Sequence, residues 1–134
     1  MSFRTDSVGA PPRPQGLVDY RLARNAIVKE YRRGRLRRVD VCDAQAELLR
    51  NARFCGRPAS EPCPICEAET MVLVTYVFGS RMPASGRCVL EPDELRRLDR
   101  ARDDRAAYVV EVCPECSWNH LVRSFPIGRR RARL

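Results

Sequence analysis

Histidine is almost missing from this sequence: His120 is the only one, and Lys29 is the only lysine. A single imidazole leaves little acid–base capacity near neutral pH. The chain also lacks a His-Glu-x-x-His helix, a Gly-x-Ser-x-Gly turn and a glycine-rich phosphate loop, its seven glycines being scattered. An enzyme is therefore not expected, nor a small-molecule substrate. No run approaches the ~18 apolar residues of a membrane span. The opening "MSFRTDSVGAPPRPQG" has no apolar stretch of signal-peptide length. These absences lead us to expect a soluble, cytoplasmic protein without membrane association. Apart from one doubled cysteine motif, internal repeats are missing too.

Charge of one sign is in surplus. Arginine and lysine number 25 against 17 acids, for a net charge of +8. Such a balance favours anionic partners, although an arginine count so far above lysine also fits a GC-rich genome. The excess is concentrated. Between positions 21 and 38 lie Arg21, Arg24, Lys29, Arg32, Arg33, Arg35, Arg37 and Arg38, opposed only by Glu30. Concentration on one element points to a partner surface more strongly than a uniform excess would. A merely solvated face is the bland alternative.

The pattern along the chain predicts an α+β fold. Residues 1–16 are proline-rich with little to bury and read as a disordered leader. Residues 17–57 read as a basic helical hairpin. Tyr20, Ala23, Ile27 and Tyr31 share a stripe on its first helix, and Gly34 is a stop. The second helix takes Asp43 as N-cap and ends at Gly56 and Pro58. The pair also fits a helix-turn-helix, the rarer arrangement. Residues 58–128 read as the second domain. "TMVLVTYVFG" is a strand, "SRMPASGRCVL" a turn and short strand, and "EPDELRRLDRARDD" an inserted helix. "AAYVVEV" and "NHLVRSFPI" complete a small antiparallel sheet. Residues 129–134 form a basic tail.

Seven cysteines, an odd number, argue against a disulfide framework as their common purpose in a reducing compartment. Cys63-Pro-Ile-Cys66 and Cys113-Pro-Glu-Cys116 instead form a doubled CxxC set. A tight CxxC turn aims two sulfurs at one point, and two such knuckles supply four soft ligands in tetrahedral array. Structural Zn²⁺ is the leading reading. A glutaredoxin-like redox motif competes, but its second cysteine opens a helix, whereas Cys66 and Cys116 precede strand-like sequence. Rubredoxin-like iron uses the same ligands, although rubredoxins carry glycine after the knuckle where this chain has Glu67 and Ser117. Buried thiols without a metal complete the alternatives. Cys42, Cys55 and Cys88 lack a CxxC partner and read as core residues. Trp118, Asn119 and His120 combine an aromatic platform with polar donors at a knuckle edge, which suits stacking on a base or docking a protein. Packing is the plainer role for Trp118, and direct metal ligation by His120 is not expected.

The "VDYRLARNAIVKEYRRGRLRRVDVCDAQAELLRNARFCG" segment, "PCPIC", "VTYVFG" and "YVVEVCPECSWNHLVRSF" together resemble an uncharacterised actinobacterial zinc-ribbon family, a domain of unknown function. The resemblance covers about residues 17–128. It implies a ribbon fold and a high-GC bacterial origin, and it brings no activity. A looser similarity, at fold level only, is to zinc ribbons of transcription and translation machinery. The resulting expectation is a non-enzymatic Zn²⁺-binding accessory factor that binds nucleic acid or a nucleic-acid machine, RNA polymerase or ribosome. Its contacts would come from Arg21, Arg24, Arg32, Arg33, Arg35, Arg37, Arg38, Trp118, Asn119 and His120. A protein–protein adaptor with a structural zinc is the rival reading, and a redox protein a more distant one.

Overall fold

A computed structural model describes residues 16–128, so the expected leader and basic tail lie outside the described residues. Three long strands form the centre of the sheet: β3 (Val72–Gly79), β5 (Arg105–Val112) and β6 (Asn119–Ile127). Their β-branched and aromatic content suits a pleated surface. Each matches a segment expected to be a strand. Three short strands complete an antiparallel six-stranded sheet: β1 (Val18–Asp19), β2 (Arg57–Pro58) and β4 (Arg87–Val89). The order is β1-β6-β5-β3-β2, and β4 pairs with β3 beside β2. The α+β class is as expected. The segment before residue 59 supplies a short edge strand on each side, pairing Val18 with Ser124 and Arg57 with Leu73.

The helices are α1 (Arg21–Arg32), the single turn α2 (Arg38–Val41), α3 (Ala46–Cys55) and α4 (Pro92–Arg100). In α1 the Asp19 carboxylate accepts the Arg21 N–H at 2.9 Å, partnering a donor of the first turn. Gly34, at φ +78°, ends the helix: its N–H reaches the Tyr31 carbonyl while the Arg35 N–H reaches that of Glu30. That pairing is the Schellman arrangement, and it uses glycine's freedom at positive φ. The expected second helix is α3, but it starts later than expected: Gln45, not Asp43, is its N-cap, and the separate turn α2 precedes it. The Asp43 carboxylate accepts a hydrogen bond from Asn119 Nδ2 at 3.0 Å instead, across to the start of β6.

The two N-terminal helices each find the sheet instead of packing chiefly on each other. Leu48 and Ala52 of α3 pack with Val74, Tyr76, Val110, Val112 and Leu121. Side chains alternate along a strand, so Glu111 faces the opposite side, and there Arg24 of α1 meets it. On that same face Leu95 and Leu98 of α4 cover Val77, Ala107 and Ile127 at the far end. A bulge in the β5–β6 ladder pairs Val109 with Arg123 but Val110 with Leu121. Val122 is the extra residue, and its carbonyl accepts the Tyr20 N–H at 2.9 Å. The bulge thereby fixes where the chain enters α1.

Register sets the position of the cysteines. Val72 at the start of β3 lies opposite Val112 at the end of β5. The first knuckle immediately precedes β3 and the second forms the β5–β6 connection, so both stand at one end of the sheet.

Candidate metal centre

The two knuckles are built alike. In the first, the Cys63 carbonyl accepts the Glu67 N–H at 2.9 Å and the Cys63 N–H donates to the Ala68 carbonyl at 2.9 Å. In the second, the Cys113 carbonyl accepts the Ser117 N–H at 2.8 Å and the Cys113 N–H donates to the Trp118 carbonyl at 2.9 Å. Each turn places the residue after its second cysteine in the left-handed region, Glu67 at φ +65° and Ser117 at φ +75°. Glycine would take that conformation with less strain. Both turns nevertheless place a non-glycine residue, Glu67 or Ser117, at that position.

Cys63, Cys66, Cys113 and Cys116 bring their sulfurs together within 4.8 Å of one another. Cys63 Sγ lies 3.6 Å from Cys116 Sγ, and Cys66 Sγ lies 3.5 Å from Cys113 Sγ. Four sulfurs about 2.3 Å from a central Zn²⁺ would stand about 3.8 Å apart, so the donor set fits a tetrahedral ion. The Ile65 N–H points at Cys63 Sγ at 3.4 Å, the kind of backbone contact that spreads thiolate charge. The four cysteines can thus hold a metal ion, and four sulfur ligands would fill a tetrahedron without an open position.

Without an ion, crowding four thiols into the interior disfavours their charged forms. Burial pushes the Cys63 and Cys113 thiols up to about 11 and that of Cys116 up to about 12. Burial acts on Cys66 as well, but hydrogen bonds from the Ala68 backbone and the neighbouring cysteines outweigh it, and its net shift is downward. Arg38 of α2 lies beside this group. Burial opposes its charge, while Cys116 and Cys42 favour it and raise its pKa. One of the arginines expected on a partner surface therefore stands next to the cysteines, where a guanidinium would offset the surplus negative charge of four thiolates around a divalent ion.

The Trp118-Asn119-His120 triplet is turned inward, which corrects the expectation of a contact edge. Trp118 and His120 are fully buried and Asn119 is 4% exposed. Trp118 packs with Val28, Val41, Ile65, Met71, Cys63 and Cys113 in a small core beneath the knuckles. Its indole Nε1–H donates to Glu111 Oε2 at 2.6 Å, and its ring stacks on that of His120, 6.0 Å centre to centre. The physical reason is strand pairing. His120 lies directly opposite Glu111 on the face that α1 covers. A stacking role on an outside base is excluded by burial. His120 Nδ1–H donates to the Leu121 carbonyl at 2.7 Å.

Arg24 is likewise internal. Its Nε donates to Glu111 Oε2 at 2.9 Å, with the two side chains 11% and 5% exposed. Glu111 thus serves Arg24 and Trp118 together. Sequence reading missed it, although a single acid inside the apolar run "AAYVVEV" was the available signal. The other cations between positions 21 and 38 stand at the surface. Arg21 pairs with Glu61 at 3.3 Å, Arg33 and Arg35 with Glu30 at 3.9 and 3.4 Å, and Arg37 with Asp40 at 3.3 Å. Exposed pairs of this kind are weak, and they leave these arginines accessible. Arg32 is exposed, and with Arg24, Asn25, Val28, Lys29 and Arg33 it lines an open groove of about 400 Å³ along α1.

Among known proteins, a family model described as "Family of unknown function (DUF5318)" matches residues 13–133. "Uncharacterized protein Rv0049" of Mycobacterium tuberculosis is 42% identical over 114 residues, covering 85% of this chain and 83% of that one. "Uncharacterized protein Mb0050" of Mycobacterium bovis matches to the same extent. These mycobacterial relatives agree with the expected actinobacterial origin. No solved structure gives a significant match.

Proposed function

The chain belongs to that family of unknown function, and from this premise we propose that it is a non-enzymatic Zn²⁺-binding accessory factor that contacts nucleic acid or a nucleic-acid machine through α1. Zn²⁺ would be held by Cys63, Cys66, Cys113 and Cys116 and would supply folding free energy to that end of the sheet. Zn²⁺ is preferred over iron because it needs only a closed tetrahedron of thiolates and no redox partner. The observation that carries the partner reading is the groove along α1, whose rim holds Lys29, Arg32 and Arg33. Cationic side chains along an accessible groove suit a phosphate backbone, which releases counterions on binding. Arg35 and Arg37 continue the same surface past the helix end. An RNA polymerase or ribosome surface would present equivalent phosphate or acidic chemistry, and the expected cytoplasmic location accords with either.

The test is binding of the zinc-loaded chain to single- and double-stranded nucleic acid across a salt series. The expected result is an affinity that falls steeply with salt and weakens in the Arg32→Ala/Arg35→Ala double variant, with zinc content unchanged. Absence of binding at low salt would sink direct nucleic-acid contact.

One observation favours a protein–protein adaptor as the second reading. Leu22, Val39 and Phe54 expose 84%, 65% and 76% of their surface. Recovery of a partner from native cells that survives nuclease treatment would select this reading over the first.

A further inference from the structure

Three cysteines stand outside the knuckles, and two of them are brought together by elements remote from the metal centre. Cys88 lies in β4 directly opposite Tyr76 of β3. Residues paired across strands point to the same face, so the Cys88 thiol is on the Tyr76 side of the sheet, beneath α3. On α3, Asn51 Nδ2 donates to the Tyr76 hydroxyl at 2.7 Å. Cys55 follows Asn51 by four residues and shares its helix face. If Asn51 sits over Tyr76, one further turn places Cys55 over the neighbouring strand, where Cys88 is. Helix α3 packs on β4 as well as β3, which puts the two thiols near one another, and both residues are half-buried free thiols.

We propose that Cys55 and Cys88 form a second thiol site, separate from the knuckles, which closes reversibly to a disulfide by exchange with a low-molecular-weight disulfide. The proposal does not depend on the zinc reading or on the partner of α1. In the first step one protein thiol loses its proton and attacks a sulfur of the reagent, forming a mixed disulfide and expelling one reagent thiolate. In the second, the other cysteine loses its proton and attacks the protein sulfur of that mixed disulfide. The Cys55–Cys88 bond forms and the second reagent thiolate leaves. The protein gives up two electrons and two protons, and the reagent is reduced to two thiols. The product would tie the last residue of α3 to β4. In a reducing compartment such a bond is transient, which suits a sensor more than a framework.

The geometry also explains why Cys88 alone would be a poor target. Burial, and then the Cys55 thiol beside it, raise the pKa of Cys88 and keep it protonated. A thiol in that state reacts slowly with an external reagent but is already positioned to complete an exchange begun by its neighbour.

Zinc-loaded full-length protein, in which the knuckle cysteines are engaged, is treated with oxidised glutathione. Peptide mass mapping should show Cys55 joined to Cys88, with two hydrogens lost, the zinc stoichiometry unchanged and full reversal by dithiothreitol. The Cys55→Ser variant should give no intramolecular cross-link. Cys88→Ser should stop at a glutathione adduct on Cys55. The oxidised wild type should also melt several degrees higher than the reduced form, as a cross-link within an otherwise unchanged fold does. The proposal is overturned if the wild type stops at the same adduct as Cys88→Ser, if neither cysteine reacts, or if the cross-link joins other cysteines with loss of the ion.

Discussion

Trp118 is held by Glu111: the indole Nε1–H donates to Glu111 Oε2 at 2.6 Å, on the same oxygen that accepts Arg24 Nε at 2.9 Å. One carboxylate oxygen thereby joins the knuckle, the central strand and α1. A buried charge with both partners in place is tolerable, and with one removed it is not.

Removing either charge should therefore be severe. Arg24→Ala or Glu111→Ala is expected to cost about 3–5 kcal/mol, measured by urea unfolding. An Arg24→Met/Glu111→Gln double variant should lose much less than the sum of the corresponding single variants. Strictly additive losses would show that the two side chains are not coupled.

The knuckle thiols give stability a pH dependence that metal reverses. Without an ion, the thiols of Cys63 and Cys113 have their pKa raised to about 11 and that of Cys116 to about 12. A raised pKa means that the folded state favours the protonated thiol. This contribution is complete below the ordinary thiol value near 9 and is lost as pH rises through 11 to 12. Chelator-treated protein should thus lose thermal stability as pH rises from about 9. Metal-loaded protein, whose sulfurs are already thiolates, should not show that loss. The fluorescence of Trp118, the only tryptophan, reports both melts. Parallel profiles with and without metal would contradict the assignment of these sulfurs as ligands.

Ion binding should also supply much of the order around Trp118. Cys63→Ser and Cys113→Ser are each expected to lose the bound ion and to expose Trp118, seen as a red-shifted emission. Retention of both one ion per chain and native emission in the two variants would refute the four-cysteine site.

Glu67 offers a stabilising change. At φ +65° and exposed, it carries the strain of the left-handed region without a buried contact to compensate. Glu67→Gly relieves that strain, less the entropy glycine brings to the unfolded chain, for a net gain of about 1 kcal/mol. A thermal melt at unchanged metal content measures it. A lower melting temperature would mean that the Glu67 side chain has a partner of its own.

Much of the architecture was legible because its signals are local. The β6 segment "NHLVRSFPI" was marked as a strand and is one over Asn119–Ile127, and the knuckles announce themselves by spacing. What escaped was long-range. Two-residue strands such as Val18–Asp19 exist only because β6 is there to pair with them, and a dipeptide carries no periodicity to detect. The inward turn of Trp118 depends on the face to which α1 docks. The same holds for Arg24, which looks like its exposed neighbours until Glu111 claims it. Asp43 has the right residue type for an N-cap, but Asn119, distant in sequence, draws its carboxylate away. Cys55 and Cys88 showed no motif because only a helix laid across a sheet brings their elements together.

The position of the knuckles at one end of the sheet has a kinetic meaning. Along the β3–β5 ladder the pairs run from Gly79–Arg105 to Val72–Val112. The first closes the shorter loop and the last the longest, and the entropic cost of closure grows with loop length. The knuckles flank that last pair, where the search between distant parts of the chain is hardest. An ion captured there early would hold the slow end of the ladder closed while the remaining pairs zip, so ligand loss should appear in refolding rates as well as in stability.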